Sequence, residues 1–182
     1  KYDRRVLLTD SNWDYIRQSR MLGLECYYGN PISSHAEEYL DLIGIGQVLA
    51  LSPDRHFNAM ACMQLVSEFG DQKVYCLQDN NGNGNHDKHY VAEEYRGMSF
   101  LGGEVSYKKL ASLLNQGGEI KHTKLSDSFS YQDYLSHHKE SFVLPLFSVG
   151  EKDRITICSK PAEFWPQSGH TVVSIIKSNE SR

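Results

Sequence analysis

Two short runs carry residue types that a ligand site would need. Asp10 closes the apolar run Val6-Leu7-Leu8-Thr9, and Ser52, Asp54 and Asn58 follow the run Gln47-Val48-Leu49-Ala50-Leu51. A carboxylate at the end of a parallel strand can accept hydrogen bonds from ribose hydroxyls, and that edge of an open α/β sheet is where ligands bind. The same residue types also start helices, because their short side-chain oxygens accept from backbone N–H groups. Site and cap are therefore parallel readings of these four residues. Other chemistries find less support. The stretch Asp79 to Gly84 with Asp87 matches the front of a calcium-binding loop, but Tyr90 stands where the bidentate glutamate belongs, so a connector is expected. His86 and His89 flank Asp87, and His137 and His138 are adjacent, with no Cys or carboxylate at zinc spacing around them; solvated polar residues are expected and no metal site. There is no Gly-x-Ser-x-Gly elbow, and Cys62 lies in the apolar stretch Met60 to Val66, so nucleophilic catalysis is not expected.

The elements that must position these residues read as alternating strands and helices. Arg5 to Thr9 has the pattern of a buried parallel strand, followed by capping types and a helix from Trp13 to Leu22 that Gly23 stops. Leu24 to Tyr28 is a second strand closed by Gly29-Asn30-Pro31. Ser33 and Ser34 cap a helix through Leu42, Gln47 to Leu51 is a third strand, and Ser52-Pro53-Asp54 opens a helix to Phe69. Lys73 to Leu77 is a fourth strand. Strands separated by such helices imply parallel crossovers, hence an α/β layer with helices on both faces. The stretch from Asp79 to Lys88 is the most loop-like of the chain. We place domain boundaries accordingly: residues 1–78, a linker at 79–89, and an α+β module over 90–182. That module has a helix at Tyr107 to Leu114, a Ser-rich polar passage from Ser126 to Ser141, and strands at Phe142 to Val149, Arg154 to Cys158 and Thr171 to Lys177.

Composition bounds the function classes. The chain has 182 residues, 40% of them apolar and 23% charged, with a net charge of -4, which suits a globular fold and not a disordered chain. No cluster of Lys and Arg marks a nucleic-acid surface. The four cysteines form no Cys-x-x-Cys pair, so they read as small apolar residues in a reducing compartment. No apolar run approaches the ~20 residues of a membrane span and no signal peptide opens the chain, so a soluble, cytosolic chain is expected.

Three segments in order, VLLTD (Val6 to Asp10), RMLGLECYYGNP (Arg20 to Pro31) and LDLIGIGQVLALSPDRHFN (Leu40 to Asn58), resemble the RCK or TrkA-N family. These are nucleotide-sensing domains attached to potassium channels and cation transporters. The C-terminal segments LPLFSV, ICSKP and SGHTVVSIIK resemble the lobe that follows such domains in cation:proton antiporters. The resemblance implies a partial Rossmann-like sheet and a binding site for an adenine nucleotide or NAD(H) made of Asp10, Ser11, Gly29, Asn30, Ser52, Asp54 and Asn58. Asp10 would face the ribose, with Ser52, Asp54 and Asn58 nearer the other end. It also implies a homodimer and a membrane transporter part on the same longer chain, at the cytoplasmic face of the membrane. The response-regulator receiver fits less well, since Asp10 stands without the acidic pair that family needs.

Two departures qualify the match. The usual Gly-Asp is Gly29-Asn30, and there is no Gly-x-Gly-x-x-Gly turn to meet a pyrophosphate. In a 3-2-1-4-5 sheet the strand bearing that turn is central. Either residues upstream complete the sheet, or the strands on either side pair directly and close the cleft. The function expected is thus a non-enzymatic regulatory domain. The alternatives are an NAD-dependent oxidoreductase fragment and a structural dimerisation domain built on Ala59, Met63 and Val66, residues that read first as core.

Overall fold

The structure, a computed structural model, describes residues 4–77 and 97–178. Asp79, His86, Asp87, His89 and Tyr90 lie outside the described residues. The fold is α/β: parallel strands flanked by helices, then a separate antiparallel sheet. In chain order the first part runs β1 (Leu7–Asp10), α1 (Trp13–Met21), β2 (Glu25–Tyr28), α2 (Ser34–Tyr39), β3 (Val48–Ala50), α3 (Arg55–Phe69), β4 (Val74–Leu77) and β5 (Met98–Phe100). The remainder runs α4 (Tyr107–Asn115), β6 (Glu119–Lys124), α5 (Tyr131–His137), β7 (Ser141–Val149), β8 (Ile155–Ile157) and β9 (Thr171–Ser178).

The parallel strands form two sheets instead of one. β1 pairs with β2, and β3, β4 and β5 pair in that order, with β1 and β3 unpaired to one another. The expectation that direct pairing would close the gap therefore fails among the described residues, and each of the two strands keeps an open edge. This explains a second difference. The run at β1 has the composition of a buried strand, yet its four residues are only half-buried and Val6 beside it is 56% exposed. β4, flanked on both sides, is buried throughout.

Each helix begins where the capping chemistry places it. Asn12 caps α1 by accepting from the Asp14 N–H, and Asp54 caps α3 by accepting from the His56 and Phe57 N–H groups. α2 is shorter than expected, since the chain leaves helical geometry at Leu40. Gly97 turns the chain into β5 at φ +64, where a Cβ would lie 2.6 Å from the Val74 carbonyl oxygen. Only glycine lets the two backbones come this close.

The antiparallel sheet has the order β6-β9-β7-β8. Its inner strand β9 is buried from Val172 to Ile176. The main core gathers Leu144, Val172, Ile175 and Ile176 of this sheet with Tyr131 and Tyr134 of α5, and continues to Tyr75 and Leu77 of β4 and Phe100 of β5. A smaller cluster of Cys62, Val74 and Cys76 sits between α3 and β4, with Val66 packed against it. Met63 on the same helix is 46% exposed. No helix among the described residues is long and apolar enough to cross a membrane.

Candidate functional site

The seven residues singled out in the sequence fall at the carboxyl ends of β1, β2 and β3, in two groups. Asp10, Ser11, Gly29 and Asn30 form the first. The Gly29 N–H donates to the Asp10 carbonyl at 2.9 Å, which locks the end of β2 beside the end of β1. Asp10 is half-buried, and its Oδ1 accepts from the Asn12 N–H at 2.7 Å. It thus shapes the turn into α1, while Asn12, not Asp10, makes the cap. Its second carboxylate oxygen has no partner among the described residues. Ser11 is exposed. Gly29 has φ +148, with the Tyr27 ring 3.1 Å from where a Cβ would sit. Asn30 Oδ1 accepts from the Ile32 N–H at 3.0 Å, so its amide organises the turn that leads to α2.

Ser52, Asp54 and Asn58 form the second group. Asn58 is 1% exposed and fully engaged. Its Oδ1 accepts from the Ser52 N–H at 2.8 Å, and its Nδ2 donates to the Ser52 carbonyl at 2.8 Å and the Leu77 carbonyl at 3.3 Å. A single amide therefore clamps the ends of β3 and β4 together from α3. Ser52 Oγ accepts from the Asp54 N–H at 3.1 Å, and Asp54 caps α3. No hydrogen bond joins the two groups among the described residues. The first group stands at the carboxyl ends of β1 and β2, and the second at the carboxyl ends of β3 and β4.

Contacts at the margins tie the two sheets together. Before β1, Arg5 donates to Glu25 at 2.5 and 2.8 Å, to the Asp41 carbonyl at 3.0 Å and to the Ile43 carbonyl. That guanidinium, first by its hydrogen bond and then by its charge, holds the Glu25 carboxyl below the usual range. Glu37 of α2 accepts from Gln64 of α3 at 2.7 Å. A shallow groove of about 620 Å³ lies at the amino ends of β3 and β4, between Leu42, Ile43, Phe69 and Lys73. It is at the far end of the strands from the candidate site.

The described residues fit one part of a nucleotide. The outer oxygen of Asp10 is a charged acceptor of the kind ribose hydroxyls need. They do not fit the phosphates. The N-termini of α1 and α3 point to the correct edge, but their first-turn N–H groups are met by Asn12 and by the Asp54 carboxylate, and Asp14 adds a negative charge to α1. A phosphate there would displace a cap and meet like charge. Three of the four cysteines, Cys62, Cys76 and Cys158, are buried. The hydrogen bond between Cys62 and Cys76 pushes the Cys62 thiol up and holds the Cys76 thiol down, and burial pushes Cys158 up to about 12. No cluster of three or more potential metal ligands occurs among the described residues. The His137 and His138 rings meet edge to face, 5.1 Å between centroids.

No protein-family model matches the chain, and no curated protein matches it. Asn12, one of the capping types after the first strand, and the Leu77 carbonyl complete the two turn networks, although neither is among the seven expected site residues. The Asp-x-Asn spacing at 10–12 was the readable signal for the first. Leu77 contributes only a backbone carbonyl and left none.

Proposed function

We propose that the chain is a regulatory, non-enzymatic domain of a monovalent cation:proton antiporter or potassium transport protein. It would lie at the cytoplasmic face of the membrane and respond to an adenine nucleotide or NAD(H). One observation carries this reading: the polar strand ends Asp10, Gly29-Asn30 and Ser52 stand at the carboxyl ends of parallel strands, and β1 and β3 each have one edge unpaired among the described residues. The carboxyl ends are where open α/β sheets take ligands. The ribose hydroxyls meet Asp10. The phosphates need donors that the described residues do not provide, and a further parallel strand between β1 and β3, with its glycine turn, is the element that provides them. Binding joins the two sheets across that strand. The ligand then acts by favouring one arrangement of a dimer, a shift of population and not a chemical step.

Thermal unfolding tests the reading directly. This chain, and one extended upstream by about thirty residues, the length of a βαβ unit, are melted with ATP, AMP, NAD and NADH. At a hundred times its dissociation constant a ligand stabilises by about 2.7 kcal/mol. We expect that gain in the longer chain, and its loss with Asp10→Ala. The absence of any shift in either chain would overturn the nucleotide reading.

A further inference from the structure

We infer that β6 is a self-pairing edge, and that two copies of this chain join through it into one continuous antiparallel sheet. The two outer strands of that sheet differ in what covers them. β8 has three residues, and its continuation is occupied, since the Cys158 and Ser159 carbonyls accept from the Leu101 and Gly102 N–H groups at 2.9 and 2.5 Å. β6 has six residues, carries no proline and pairs with β9 without a bulge, and five of its six residues are exposed. Beside it runs an open groove of about 590 Å³ whose wall includes His138. Among the described residues, none of the usual shielding by proline, bulge or shortness protects this edge, and only its charges remain to do so.

Those charges are self-complementary. A two-fold axis normal to the sheet keeps like faces together, so the pairing must be centred on a residue, not between two. Centring on Lys121 would set two lysines directly opposite, which is unfavourable. Centring on Ile120 sets Glu119 opposite Lys121 of the second copy, and Lys121 opposite its Glu119. Within one copy these two side chains already form an ion pair at 3.0 Å, so the dimer carries four alternating charges on one face. On the other face the apolar row Leu144–Ile175–Ile120 runs across β7, β9 and β6 and ends in an isoleucine that is 60% exposed. In the dimer that row continues into its own mirror order, and Ile120 is covered by its counterpart. The second copy is thus the occupant that answers both the charge and the apolar row. This contact gives the proposed regulatory unit its dimer interface and rests on that reading for its role alone. It needs no nucleotide.

Sedimentation equilibrium of the chain, without ligand, tests it. The wild type is expected to be dimeric, and Lys121→Glu, which opposes two glutamates at each pair, to raise the dimer dissociation constant at least tenfold. The swap Glu119→Lys with Lys121→Glu restores the opposition and is expected to restore the dimer. Both side chains are exposed in the single copy, so a far-ultraviolet circular dichroism spectrum matching the wild type will show that each variant is folded. A wild type that stays monomeric at the highest concentration reached overturns the inference. So does a dimer indifferent to Lys121→Glu, or one that the double swap fails to rescue. A failed nucleotide titration leaves these outcomes untouched.

Discussion

The split parallel layer and the antiparallel sheet are built from strands of similar apolar content, and they bury those strands very differently. Leu7 and Leu8 in β1 are half-buried, and Leu49 in β3 is 39% exposed, whereas Val172 to Ile176 in β9 are all buried. The difference is position, not composition. Among the described residues, β9 has a strand on each side and β1 has one on a single side. A strand written for burial on both faces stays exposed when its neighbour is lacking, because the covering layers close only over a continuous sheet. Burial in this molecule therefore follows the completeness of the sheet, and the incomplete sheet is the one that carries the candidate site.

The largest expected effect sharpens that comparison. Ile175→Ala in the complete sheet should cost about 2–5 kcal/mol in urea unfolding. Leu8→Ala in the split layer should cost about 1 kcal/mol, since much of its side chain is already in water. Equal losses at the two positions would break the contrast. Asn58→Ala comes next. It strips partners from a buried backbone N–H and two carbonyls at once, and should cost about 2–3 kcal/mol. A loss as small as that of a surface substitution would mean that the clamp between β3 and β4 holds nothing. Asp54→Ala removes the cap of α3 and should cost about 1 kcal/mol.

The smallest effect is a pH dependence in the antiparallel half. Burial, then His137 and then Lys121 hold the His138 imidazole below the usual histidine range. The folded chain therefore binds that proton less readily than the unfolded chain. Stability falls as pH drops from the ordinary histidine range towards the lower folded value. A proton NMR titration should show His138 titrating below the usual value, and Lys121→Ala should move it upward. No movement would place Lys121 out of electrostatic reach of α5.

Elements with strong local chemistry were legible without the structure. α3 was, because Asp54 caps it and fifteen residues follow without a breaker before Gly70. The run from Phe142 to Val149 likewise emerged as β7. β6 was not, since Glu-Ile-Lys-His-Thr-Lys has one strongly apolar residue and becomes a strand only by pairing with β9. α5 was hidden in a polar passage, although Ser130 and Asp133 form a capping box that the spacing could have revealed. β5 has three residues, too few for any periodicity to show, and it is a strand through its pairing with β4.

For the candidate site the division is similar. The sequence alone determined which residues stand at strand ends, because apolar runs stop at Asp10, Gly29 and Ser52 for reasons local to each turn. It also determined that no glycine-rich phosphate turn lies within the chain. The tertiary structure alone decided that Asn58 is spent on a buried clamp, that Asp10 engages one carboxylate oxygen in the turn, and that β1 and β3 are unpaired among the described residues. Hydrogen bonds between distant backbones set those outcomes, and no short window of residue types records which backbone will arrive beside it.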